Sequence, residues 1–162
     1  NGIIFLYLHK IRLKMHIEIH PIPKENILDI MPLLKIVNTK TPHDLLEKRV
    51  LEMVNYQNYE CIGLFLDEKL IGITGLWYSL RHYIGKSVEP DHVIIDKAYR
   101  GQNLGKQFFN WIYEYTKSKG CEAIELNTYT GNTKSHKFYY NEGFDIYGFH
   151  FLKVMRTDKS FY

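Results

Sequence analysis

At 162 residues the chain is long enough for one domain with a sizeable core. Its net charge of +3 is accounted for by Lys10, Arg12 and Lys14, which leaves the rest balanced and without the concentrated basic face of a sequence-independent nucleic-acid binder. Two cysteines, Cys61 and Cys121, are too few for a disulfide framework and are not spaced as zinc ligands; they read as reduced thiols, so no metal is expected.

In chain order, residues 1–14 (NGIIFLYLHKIRLK) read as an extension ahead of a single domain over 15–162. The apolar run Ile3–Leu8 is too short to span a bilayer, and it lacks the basic and small-residue flanks of a signal peptide. A cytoplasmic protein without a membrane partner is the expectation. Met15–Pro21 alternates, with Ile17 and Ile19 against His16, Glu18 and His20, and reads as a half-buried strand. A helix is expected from Pro23 to about Val37, with Pro32 kinking or dividing it. A second starts near Thr41 and carries Leu45, Val50, Met53 and Val54. Glu60–Leu66 and Leu70–Ser79 read as strands around an Asp67-Glu68-Lys69 hairpin turn. Gly72 and Gly75 inside the second strand point to a bulge or a close backbone approach. After a polar turn at Arg81–Lys86, Ser87–Ile95 forms the central strand.

That strand leads into Arg100-Gly101-Gln102-Asn103-Leu104-Gly105-Lys106 and then a helix, on which Leu104, Phe108, Trp111, Ile112 and Tyr115 make one apolar stripe. Gly120 suits its C-terminal cap. Such a turn presents unpaired N–H groups and the positive end of the helix dipole, a site for phosphate or pyrophosphate. Glycine permits close approach of ligand oxygens, and Arg100 and Lys106 add charge. The turn carries neither the G-x-G-x-x-G dinucleotide fingerprint nor a P-loop. Downstream, Cys121–Thr128 reads as a strand, Asn132 as a helix N-cap, Gly143 as a helix end, and Asp145–Met155 as a last strand or pair of strands.

Arg100–Gly105 resembles the R/Q-x-x-G-x-G/A acetyl-CoA motif of the GCN5-related N-acetyltransferase (GNAT) superfamily, with Asn103 where that family prefers glycine. Asn132-Thr133-Lys134-Ser135-His136-Lys137-Phe138-Tyr139-Tyr140-Asn141-Glu142-Gly143-Phe144 resembles its N-x-x-[AS]-x-x-F-Y-x-x-x-G-F element. The resemblance covers roughly Met15 to Lys153. It implies an α/β fold of the acyl-CoA N-acyltransferase type: a mixed central sheet of about six to seven strands, splayed at the cofactor site and flanked by about four helices.

The resemblance also implies acetyl-CoA as co-substrate, an amine acceptor as partner, and direct transfer of the acetyl group in a ternary complex. The turn residues Arg100, Gly101, Gln102, Asn103, Leu104, Gly105 and Lys106 would cradle the pyrophosphate. The edge of Val93, Ile94 and Ile95 would bind the pantetheine arm like an added strand. Asn132 and Ser135 would assist there. Tyr139 would protonate the leaving thiolate, with Tyr140 on another helical face. For the base, strand alternation puts Glu89 and Asp91 on one face and His92 on the other. Glu89, Asp91 and His92 are the candidates, with Glu89 and Asp91 favoured, and acids there would also attract a cationic amine. A non-catalytic acyl-CoA-binding module on the same fold and a nucleotide-binding protein are the competing readings. Monomer and homodimer both remain open, as does the acceptor.

Overall fold

The computed structural model describes residues 16–159. The segment 1–14, read from sequence as an extension, lies outside them. Strands β1 (Ile17–Pro21), β2 (Tyr59–Leu66), β3 (Lys69–Arg81), β4 (Gly85–Ile95) and β5 (Ala123–Ile124) form one sheet in that order. The first four are antiparallel neighbours, and β5 lies parallel to β4. The β2–β3 turn puts Asp67 and Glu68 at φ 47° and 65°, the backbone twist of a two-residue hairpin.

Two layers of helix enclose the sheet. A 3-10 segment, Lys24–Ile30, runs into α1 (Met31–Val37), with Pro32 in the first turn of α1, where no N–H is needed. The expected helix is thus divided at its proline. The 3-10 segment, α1 and α2 (His43–Met53) cover one face: Ile30, Leu34, Leu46 and Val50 meet Tyr59, Cys61, Ile73 and Ile94. The opposite face is covered by α3 (Leu104–Ser118), through Leu104, Phe108 and Ile112 against Ile62, Leu64, Leu76 and Val88. Each such side chain, fully buried, contributes about 1.5–3 kcal/mol. A fourth helix, α4 (Thr133–Asn141), is joined to α3 by Phe109, whose ring meets Phe138, Tyr139 and Phe144 edge-on.

Three expectations are corrected. The described sheet has five strands, not six or seven. The strand expected over Cys121–Thr128 is reduced to Ala123–Ile124. No strand forms within Asp145–Met155, although its alternation is strand-like; Tyr147, Phe149 and Phe151 are exposed. The cause is common to all three. β5 leaves β4 after two paired residues and is itself too short to seat a further strand on its outer side.

Candidate active site

The departure of β5 has a local origin. Val88 accepts from the Glu125 N–H at 2.9 Å, so it is the β4 residue whose polar groups face β5. Two residues on, the next donor toward β5 would come from Pro90, which has no N–H. The ladder stops there, and the β5-facing edge of Pro90–Ile95 has no strand partner among the described residues. The gap has a defined mouth: Glu89 accepts from the Asn127 amide across it at 2.6 Å.

β4 delivers the chain from this free edge into the turn. Asp96 caps a short 3-10 turn by accepting from the Ala98 N–H at 2.9 Å, and Arg100 Nε donates back to the Ile95 carbonyl at 2.9 Å. Gly101 lies at φ 79° and Asn103 at φ 60°. Asn103 is therefore in the left-handed region that asparagine tolerates, which accounts for its place in a glycine-rich motif. The first backbone bond of α3 runs from Gln107 N–H to the Asn103 carbonyl. The N–H groups of Leu104, Gly105 and Lys106 therefore stand outside the helical ladder, at its positive end. A Cβ on Gly105 would lie 3.5 Å from Phe138 and 3.9 Å from Ile95, so this glycine marks where α3, α4 and β4 converge. The free strand edge, the positive-φ turn and the open helix N-terminus fit an extended chain ending in a pyrophosphate.

The Asn132 side chain caps α4 by accepting from the Ser135 N–H at 3.4 Å, which puts both residues at the helix start. Tyr139 packs among Phe109, Phe138 and Phe144. Burial pushes its phenol upward, so it holds its proton at neutral pH. No hydrogen-bond partner for its hydroxyl is found among the described residues. Tyr140 is exposed on another face, as expected.

The acids of β4 are arranged differently from the expectation. The β3–β4 register shifts between Ile73 and Gly75, and His92 takes φ 39°. This bulge adds one residue to β4 and resets the alternation. His92 consequently lies on the same face as Asp91 and not on the opposite one: its Nδ1 is 3.2 Å from Asp91 Oδ2, and its backbone N–H donates to Asp91 Oδ1 at 2.8 Å. The imidazole lies over Gly75 and beside Tyr59. Burial pushes the Asp91 carboxyl up, but the His92 ring and N–H, with the Trp77 side chain, outweigh it and hold the carboxyl below its usual range. Half of the Asp91 side chain is exposed, whereas that of His92 is only 9% exposed. Among the described residues that are not exposed, His92 Nε2 is the one buried side-chain N or O atom lacking a hydrogen-bond partner. Such an orphan costs about 1–3 kcal/mol. Sequence reasoning named His92 beside Glu89 and Asp91 but put it on the opposite face by parity; the signals for the bulge and the splay were Gly75 and Pro90.

The sequence model of the Acetyltransferase (GNAT) family matches residues 29–144, which include the free edge, the turn, α3 and α4. The chain belongs to that family. A curated relative, the aminoalkylphosphonate N-acetyltransferase of Salmonella typhimurium, is 27% identical over 88 residues, 54% of this chain and 57% of that protein. This chain thus matches little more than half the length of that relative. An aminoglycoside N-acetyltransferase solved in complex with CoA shares the fold at TM-score 0.75 and 18% identity, over 88% of this chain and 96% of the other. The ribosomal-protein-alanine N-acetyltransferase of Brucella melitensis does so at TM-score 0.74 and 15% identity, over 87% and 100%. At these identities the two structures speak to the fold alone.

Proposed function

We propose that this GNAT protein moves the acetyl group of acetyl-CoA directly to a primary amine of a small molecule or peptide, within a ternary complex. One observation carries the reading: the free edge of β4 runs straight into a turn with open N–H groups, so a strand-like arm and a pyrophosphate are served by one continuous surface. Val93, Ile94 and Ile95 receive the arm, with Asn132 and Ser135 assisting. Arg100, Gly101, Gln102, Asn103, Leu104, Gly105 and Lys106 hold the phosphates. Tyr139, protonated at neutral pH, supplies the proton to the leaving sulfur. Glu89 and Asp91 place negative charge where a cationic amine enters. The relative that acetylates aminoalkylphosphonates supports a small amine as acceptor.

The test is calorimetric titration with acetyl-CoA, followed by thiol release on an amine panel that includes aminoalkylphosphonates, aminoglycosides and peptide N-termini. Wild type binds and turns over. Gly105→Trp fills the junction of α3, α4 and β4 and weakens binding by at least about 100-fold, or ~2.7 kcal/mol. Binding without turnover on any amine would mark an acyl-CoA-binding module. No binding by folded wild type would overturn the assignment.

A further inference from the structure

His92 is left unused by this scheme. We propose that His92, oriented by Asp91, is the base that takes the proton from the acceptor ammonium. The inference rests on the acetyltransferase reading and names the proton acceptor within it.

Four observations support it. Nδ1 faces a carboxylate at 3.2 Å, so the tautomer that satisfies both groups carries its proton on Nδ1 and leaves a lone pair on Nε2. That Nε2 is buried without a donor, and an ammonium N–H is the kind of donor it lacks. Asp91, held ionised by His92 and Trp77, is a weak base but an effective partner for an imidazolium. Glu89 is engaged by Asn127. The bulge makes the arrangement possible: φ 39° at His92 turns the ring onto the Asp91 face, and Gly75 leaves room for it, since a Cβ there would lie 2.6 Å from Cε1.

The protons balance as follows. The ammonium gives one proton to Nε2, forming an imidazolium paired with Asp91. The neutral nitrogen bonds to the thioester carbonyl carbon. The C–S bond breaks and its electron pair leaves on sulfur. Tyr139 gives its phenolic proton to sulfur, and the second proton of nitrogen passes to the phenolate so formed. The third stays on the amide, and the imidazolium returns its own to solvent. His92 is then a catalytic residue and Asp91 a positioning residue.

Other titratable groups lie around the ring. From β2, Tyr59 and Cys61 are both raised by burial, the thiol to about 12. β3 contributes Gly75 and Trp77, while the 3-10 segment, α1 and α2 meet this face through Ile30, Leu34 and Val50. On β4 itself the neighbours are Asp91 and Glu89.

The experiment is the pH profile of kcat/KM for wild type, His92→Gln and Asp91→Asn, with acetyl-CoA titrated into each by calorimetry. Nitrogen NMR of wild type reads the His92 tautomer without any variant. His92→Gln is expected to bind acetyl-CoA as wild type does and to lose ~100- to 10,000-fold in kcat/KM near neutrality. The acidic limb of its profile disappears, and the deficit shrinks as pH rises toward the pKa of the free amine, because a neutral amine needs no base. Asp91→Asn, whose amide can donate to Nδ1, shifts the proton to Nε2 and loses activity comparably. A deficit independent of pH, or a wild-type ring protonated at Nε2, would overturn the proposal. Loss of acetyl-CoA binding by wild type would instead strike the acetyltransferase reading itself.

Discussion

Gly75→Ala tests whether the bulge is closed as tightly as the structure shows. The added methyl would lie 2.6 Å from His92 Cε1, 2.8 Å from Tyr59 Cε2 and 3.0 Å from the Tyr59 hydroxyl. Comfortable carbon contacts begin near 3.5 Å, so one of the rings must move by about 1 Å. Tyr59 cannot yield easily: it is 5% exposed, and its ring leans on Trp77 at 4.6 Å. Overpacking of this kind costs about 1–3 kcal/mol. Alanine also restricts the unfolded chain relative to glycine, which offsets about 0.4–1 kcal/mol. Gly131→Ala supplies the control. A Cβ there meets nothing within 4 Å and the backbone is not in the left-handed region, so only the offset remains. The difference between the two variants isolates the steric contribution. For a domain of this size it corresponds to about 3–10 °C in Tm. Chemical denaturation with an unchanged m-value is the assay. A Gly75→Ala variant no less stable than Gly131→Ala would mean that His92 and Tyr59 do not close over Gly75, and the argument from His92 burial would fail with it.

Two other predictions follow from polar groups. Glu60 joins β2 to the far end of α3, accepting from Lys119 Nζ at 2.6 Å, from the Tyr115 hydroxyl at 2.8 Å and from the Tyr78 hydroxyl at 3.3 Å. Burial raises its carboxyl, but the Lys119 and Tyr115 hydrogen bonds, the Lys119 charge and the Tyr78 hydroxyl outweigh this and lower it below the ordinary 4.5. A depressed carboxyl stabilises the fold above its unfolded value and loses that contribution as pH falls through the folded one. Glu60→Gln should therefore cost about 1 kcal/mol at neutral pH, a modest figure because Glu60 and Lys119 both reach solvent. The gap should close below about pH 4.5 in acid-unfolding curves; a gap unchanged down to pH 3 would refute the assignment. Tyr139→Phe keeps the ring among Phe109, Phe138 and Phe144, so stability and acetyl-CoA affinity should hold while kcat falls ~100- to 10,000-fold. An unchanged kcat would remove Tyr139 from the chemistry.

Much of the scaffold was legible because it rests on local chemistry. A φ of 60° at Asn103, 78° at Gly120 and 88° at Gly143 lie where the residue types allow them, and the Asn132 cap follows from its side chain. The α3 stripe needs only helical spacing, and Leu104, Phe108 and Ile112 are buried as it requires. Legibility ended where pairing depends on a neighbour. Alternation along β4 holds only while every residue has one partner, and the inserted residue at the bulge moved His92 to the face of Asp91. The C-terminal segment alternates like a strand, yet alternation supplies no edge to pair with. Both failures trace to the same few residues. Pro90 withholds the N–H that would keep β5 in place, and two positions on His92 breaks step with β3. The first opens β4 to a ligand, and the second turns a titratable ring toward Asp91. A sheet interior is a poor place for a proline and a bulge, so their coincidence on one strand is best explained by what they jointly create: a free edge beside a paired carboxylate and imidazole.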